Sequence, residues 1–128
     1  MASRTIKLSN IKPNTYLSWF ATTQAAFEVE MTLKDNKTTY FKAKRRSRDI
    51  NPPLAIGSGW YKGNDLEITI NVPEAREEHF KTFINTFTLL TPEQGIEVGY
   101  SFTCCGEDQT DMDYNDFYIS VMAWKSNG

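Results

Sequence analysis

Positive charge is missing from a long stretch of this chain: no Lys or Arg stands between Lys81 and Lys125. Histidine is nearly absent too. His79 is the only one, set among Glu77, Glu78 and Lys81, where a solvated side chain is the expectation and no Ser-His-Asp or Cys-His site can be assembled. The two cysteines, Cys104 and Cys105, are neighbours. Adjacent cysteines bridge only through strained peptide geometry, so two reduced thiols are expected, and a zinc set of separated cysteines is excluded. No apolar run approaches the ~20 residues of a membrane-spanning helix, and Met1-Ala2-Ser3-Arg4-Thr5 lacks the apolar core of a signal peptide. The expected location is the cytoplasm, with release by a non-classical route as the alternative, and no membrane insertion.

The cation-free stretch contains the most informative ten residues, Glu107-Asp108-Gln109-Thr110-Asp111-Met112-Asp113-Tyr114-Asn115-Asp116. Five carboxylates packed together repel one another, and a hard divalent cation removes the conflict. Calcium takes six to eight oxygen ligands in flexible geometry, from carboxylates, carboxamides and carbonyls, and this run offers little else. On an extended backbone Asp111, Asp113 and Asn115 point to one side, and Asp116 closes the cluster from a turn. The apolar run Phe117 to Trp124 then reads as a strand. An EF-hand is excluded. Its turn glycine would fall at Asp116 and its bidentate Glu at Met122.

At 128 residues the chain is expected to form one domain, with 40% hydrophobic and 23% charged residues as in ordinary globular proteins. Three Trp, six Tyr and eight Phe, with frequent Thr, Val and Ile, tilt it towards strands. Alternation predicts strands at Thr5–Leu8, Thr15–Ala21, Phe27–Lys34, Thr38–Phe41, Leu66–Val72 and Ile96–Cys104. Thr22 to Gln24 is expected to be a loop, and Asp35-Asn36-Lys37 a hairpin turn. Leu54 to Tyr61 reads as a strand interrupted at Gly57-Ser58-Gly59. A loop or short helical turn through Glu78 should lead to a strand from about Lys81 to Leu90. The fold class is all-β, an antiparallel β-sandwich of about nine short strands.

Charge divides along the chain. Residues 1–48 hold ten Lys/Arg against three Asp/Glu and residues 49–128 hold four against thirteen, returning the net −2. One basic and one acidic surface follow, unless folding interleaves them. The basic run Lys42 to Arg48 is read as a strand end and a solvated loop. The alternative is an anion-binding patch for acidic glycans; without interleaved aromatics or a helix, nucleic acid is not expected. Trp19, Trp60 and Trp124 each sit in a strand pattern and are assigned to the core rather than to a sugar-stacking face. Glycoside hydrolysis needs carboxylates ~5–9.5 Å apart across a bond, which one short loop supplies poorly, so no catalysis is expected.

Glu107-Asp108-x-Thr110-Asp111-x-Asp113-Tyr114-Asn115-Asp116, followed by a strand, a Trp and a final Gly128, resembles the end of the bacterial calcium-mediated soluble lectins. The resemblance is specific over roughly the last sixth of the chain. It implies a β-sandwich that binds fucose or mannose, with sugar hydroxyls coordinating one or two calcium ions. It implies Glu107, Asp111, Asp113, Asn115 and Asp116 as metal ligands and Asp108 as acceptor of a sugar hydroxyl. The carboxylate of Gly128 would reach the site of a partner subunit in a homo-oligomer, a dimer at least. Thr22, Thr23 and Gln24 correspond to the early loop that tunes sugar preference. Two departures stand out: that early loop lacks the family's Asn ligand, and the tail after Asp116 is slightly longer. A calcium-stabilised structural or assembly domain without sugar binding is the alternative function.

Overall fold

The computed structural model describes residues 2–76, 83–92, 95–106 and 116–126. The described residues contain no helix, so none long and apolar enough to cross a membrane. Nine strands run in chain order: β1 (Ala2–Lys7), β2 (Thr15–Thr23), β3 (Val29–Lys34), β4 (Thr39–Arg45), β5 (Ala55–Tyr61), β6 (Glu67–Val72), β7 (Phe83–Leu90), β8 (Gly99–Gly106) and β9 (Phe117–Trp124). They form a four-stranded sheet, β1-β6-β3-β4, and a five-stranded sheet, β5-β2-β9-β8-β7, every pair antiparallel. The all-β sandwich expected from the alternation is what forms.

Alternation decides what each sheet buries. Val29, Met31 and Leu33 of β3 and Ile68, Ile70 and Val72 of β6 point from one sheet. Leu17, Trp19 and Ala21 of β2, with Phe117, Ile119, Val121 and Ala123 of β9, point from the other, and all belong to one buried cluster. The β3–β4 hairpin pairs as expected, with a register shift between Leu33 and Lys34. Gly57 and Gly59 do not interrupt β5, whose register with β2 runs unbroken from Tyr61 to Ala55. Gly57 serves packing instead. A Cβ there would stand 2.8 Å from the Trp19 ring, which lies across the strand.

Several expectations change on folding. Thr22 and Thr23 are not in a loop but extend β2, opposite Tyr118 and Phe117 of β9. Trp19 is core, whereas Trp60 is 39% exposed on β5, an edge strand. The strand expected from about Lys81 is described from Phe83; residues 77–82, including His79, lie outside the described residues. Both cysteines are free thiols, as expected, and burial pushes Cys104 up to about 12.

The two halves of the chain do not make one basic and one acidic surface. Ion pairs join them, Lys7 and Lys34 to Glu67 and Arg46 to Glu74. Charge sorts by sheet instead. Arg4, Lys7, Glu30, Lys34, Lys42, Lys44, Arg45 and Glu67 lie in the four-stranded sheet, whereas among the described residues no strand of the five-stranded sheet holds a Lys, Arg, Asp or Glu.

The β3–β4 turn is held by Asp35, a buried carboxylate that accepts from the amides of Lys37 and Thr38, both at 2.7 Å, and from the Tyr40 hydroxyl. Burial alone would raise its pKa, but these hydrogen bonds and one from the Gly63 amide outweigh it, leaving the carboxyl below its ordinary value. A depressed folded pKa adds stability above the unfolded value near 3.8, and this is lost as pH falls through the folded value. Asp35→Asn should therefore lower the melting temperature at neutral pH and narrow its gap from the parent below pH ~3. Thermal melts of both proteins across that range check this.

Candidate functional site at the acidic end of the five-stranded sheet

Strands β8 and β9 pair without a break out to Gly106 opposite Phe117. Residues 107–116 therefore leave and re-enter the sheet at adjacent, hydrogen-bonded positions. The re-entry point is rigid. Phe117 has no exposed surface and meets Phe83 edge to face, ring centroids 5.2 Å apart. Its ring lies against Gly106, where a Cβ would come within 2.2 Å of it, so the neighbouring anchor has to be glycine.

Beside this hairpin the end of β2 arrives by the same ladder, Thr23 opposite Phe117. The Gln24 amide then donates to the Asp116 carbonyl at 3.0 Å. Asp116, with 7% of its surface exposed, thus sits at the foot of the acidic run, against the residues expected to tune a ligand. Of the expected metal ligands it is the one inside the described residues. Glu107, Asp111, Asp113, Asn115 and Gly128, with the expected sugar acceptor Asp108, lie outside them. Among the described residues no three His, Cys, Asp or Glu side chains group to hold a metal.

Thr22 and Thr23 are buried, and their hydroxyls are engaged within the protein. Thr22 Oγ1 donates to the Ile50 carbonyl at 2.6 Å and Thr23 Oγ1 to the Ser47 carbonyl at 3.4 Å. Both also accept from Arg45, Thr22 from an Nη at 3.0 Å and Thr23 from Nε at 2.7 Å. Gln24 is half-buried and is the most open of the three.

Arg45 was hidden in the basic run, and it organises this corner. Besides the two hydroxyls its guanidinium donates to the carbonyls of Thr23 at 3.0 Å, Asp49 at 2.6 Å, Ile50 at 3.3 Å and Pro52. One planar fork thereby ties β4 to the end of β2 and to residues 49–52. Arg46 pairs with Glu74 and donates to the Ala26 carbonyl at 3.1 Å. The solvated expectation for the basic run thus fails for Arg45, and holds for Lys42, Lys44, Arg46 and Arg48, which are exposed. A sequence signal for Arg45 existed only in its register: it falls on the inward side of β4, opposite Val29.

No protein-family model matches the chain, and no curated protein sequence does. Solved structures do share its architecture. The Chromobacterium violaceum lectin CV2L, in complex with α-methyl-fucoside, superposes with a TM-score of 0.64 at 13% identity, over 92% of this chain and 93% of that one. The Ralstonia solanacearum high-affinity mannose-binding lectin gives 0.64 at 15%, over 92% and 93%. The C-terminal domain of the BC2L-C lectin from Burkholderia cenocepacia gives 0.65 at 16%, over 94% and 96%. The chain has the fold of these bacterial lectins. At such identities the agreement lies in the path of the lectin fold rather than in its residues.

Arg45→Ala removes a charged donor from several carbonyls at once and should cost about 2–3 kcal/mol of stability. The amide of Ala25, bonded to the Ser47 carbonyl at 3.0 Å, should exchange faster in the variant than amides of the β3–β6 ladder. Denaturant melts and amide hydrogen exchange measure the two effects.

Proposed function

We propose that this chain is a non-catalytic, calcium-dependent lectin, a single β-sandwich domain that binds fucose- or mannose-type glycans as a homo-oligomer. The observation that carries the reading is the β8–β9 hairpin. Pairing out to Gly106 and Phe117 delivers five carboxylates and Asn115 as one connection, beside the β2 end, on a fold shared with a fucoside-bound lectin and a mannose-binding lectin.

The donor set fits a hard cation. Asp116 stands at the foot of the loop, the loop contains no Lys or Arg, and the described contacts of Arg45 all go to hydroxyl and carbonyl oxygens, which leaves it no role as counter-charge. Glu107, Asp111, Asp113, Asn115 and Asp116 would hold the ion or ions. A bound calcium supplies coordination positions that two neighbouring sugar hydroxyls can occupy in place of water. The chain's own part is to fix those ligands to the end of a rigid sheet, with Asp108 accepting a hydroxyl hydrogen bond and Gln24 at the edge of the site.

A second reading has one observation in its favour. Thr22 and Thr23 are buried with their hydroxyls engaged, which reduces the groups left to meet a sugar and suits a calcium site that is structural only. An anion-binding patch has less support, since Arg45 is bound within the protein and the exposed Arg46 is paired with Glu74.

Calcium at a hundredfold excess over its dissociation constant should stabilise the native state by about 2.7 kcal/mol, and Asp113→Asn and Asp116→Ala should remove most of that. Melts with calcium and with chelator measure it; a melting temperature indifferent to both removes the reading. On glycan arrays, calcium-dependent retention of fucose or mannose should disappear with chelator. Asp108→Ala should weaken sugar binding far more than calcium binding. Calcium binding with an empty array would decide for the structural domain.

A further inference from the structure

The end of the sandwich away from the acidic run holds a hollow that the function proposed above does not use. Strand β2 runs nine residues from Thr15, opposite Tyr61, to Thr23, opposite Phe117. At ~3.4 Å per residue its two ends stand roughly 27 Å apart. The hollow at the Thr15 end has a volume of about 220 Å³. Ile11, Pro13 and Leu66 give it an apolar lining, while Lys7, Lys12 and Asp65 bring two positive charges against one negative. Its walls are fixed by the protein itself. On one side the Leu8 amide donates to the Leu66 carbonyl at 2.9 Å, the Asn14 amide to the Tyr61 carbonyl at 2.6 Å and Thr15 Oγ1 to the Lys12 carbonyl at 3.0 Å. On the other, two turns lock together. The Asn36 amide donates to the Asn64 carbonyl at 2.9 Å, and the Asn64 amide to Asn36 Oδ1 at 2.8 Å. Both walls pass through the left-handed region, at Asn14 with φ 69° and at Asp65 with φ 61°, and these bonds hold them there.

Within this frame three polar groups keep unused capacity. Tyr61 lines the hollow with 2% of its surface exposed, and its hydroxyl accepts from the Leu66 amide at 3.2 Å. The hydroxyl's own proton has no acceptor among the described residues. Buried donors ordinarily have a partner, and the hollow is where this one can find it. Burial, with the charges of Asp35 and Asp65, raises the Tyr61 pKa against the lowering effect of the Leu66 amide, so the hydroxyl remains a donor. The Lys12 ammonium and the Asp65 carboxylate likewise have no hydrogen-bond or ion-pair partner among the described residues, whereas Lys7 is bound to Glu67.

We infer that this hollow is a second, calcium-independent ligand site that takes one sugar acid, a ring carrying a carboxylate and several hydroxyls. The inference goes beyond the lectin reading and does not need the acidic run. Lys12 and Tyr61 donate, which calls for the oxygens of a carboxylate. Asp65 accepts, which calls for hydroxyl donors on the same ligand. The carbon-bound hydrogens of a ring meet the apolar lining, and the surplus of one positive charge in the lining matches a single carboxylate. A volume below the ~300–1,000 Å³ of pockets for drug-sized ligands limits the occupant to about one ring.

The test is a titration of the full chain with methyl glucuronide in the presence of chelator, followed by the backbone amide shifts of Lys12, Asp65 and Leu66. Chelator silences any calcium site, so failure of the calcium-dependent reading does not touch the result. Saturable shifts with a Kd on the order of 1 mM are expected. Methyl glucoside, which lacks the charge, should bind about tenfold more weakly, a comparison that needs no variant. Lys12→Ala, at an exposed side chain, should weaken the glucuronide about tenfold, and Tyr61→Phe should weaken it too. Lys44→Ala, on β4, should leave it unchanged. Circular dichroism checks that the variants are folded. Absence of saturable shifts overturns the proposal, as does equal affinity for the glucoside, full affinity in Lys12→Ala or an equal loss in Lys44→Ala. Free alanine bound as tightly as the glucuronide would overturn it in favour of an amino-acid site, and acetate bound as tightly in favour of a site for any carboxylate.

Discussion

The corner where the acidic run meets the sheet depends on how β9 is gripped. It lies at the centre of the five-stranded sheet, laddered on one side to β2 and on the other to β8. Its inward side chains, Phe117, Ile119, Val121 and Ala123, have no exposed surface. Burial of this kind contributes on the order of 1.5–3 kcal/mol for each of the larger residues. A strand held by both neighbours and by the core cannot slip by one residue without turning that apolar set outward. Asp116, one residue before it, inherits the fixed position.

Much of this arrangement was legible before folding. The alternating runs of β3 and β6 stated which residues face inward, and the acidic decapeptide stood out because carboxylates without cations need an explanation. Elsewhere the local signal was absent. The alternation of β2 is blurred by Trp19, Phe20 and Ala21 in succession, so Thr22 and Thr23 passed for a loop. Their strand state is set by β9, nearly a hundred residues later in the chain. Trp60 follows a strand pattern that cannot tell a central strand from an edge. Arg45 reads as one cation in a basic run, because its partners on residues 49–52 come within reach only when the chain doubles back.

The sorting of charge shows the same limit from another side. Counting along the chain separates a basic half from an acidic half. Folding draws β6 from the acidic half between β1 and β3 of the basic half, and Glu67 pairs with Lys7 and Lys34. Such pairs at the surface are worth little each, so they record the topology more than they cause it. The uncharged strands are scattered along the chain, and only their assembly into one sheet makes a face of them.

The Gly106–Phe117 pair has an evolutionary consequence. Because the β8–β9 ladder itself holds Gly106 opposite Phe117, the sandwich and the residues it presents can diverge separately. The entropy of closing a loop grows slowly, about 0.6 kcal/mol for each doubling of its length. A longer or shorter connection with different oxygen donors could thus replace residues 107–115 at little thermodynamic penalty. The selective pressure that preserves the scaffold would then fall on Gly106, Phe117 and the β2 ladder, while the recognition chemistry is left free to change.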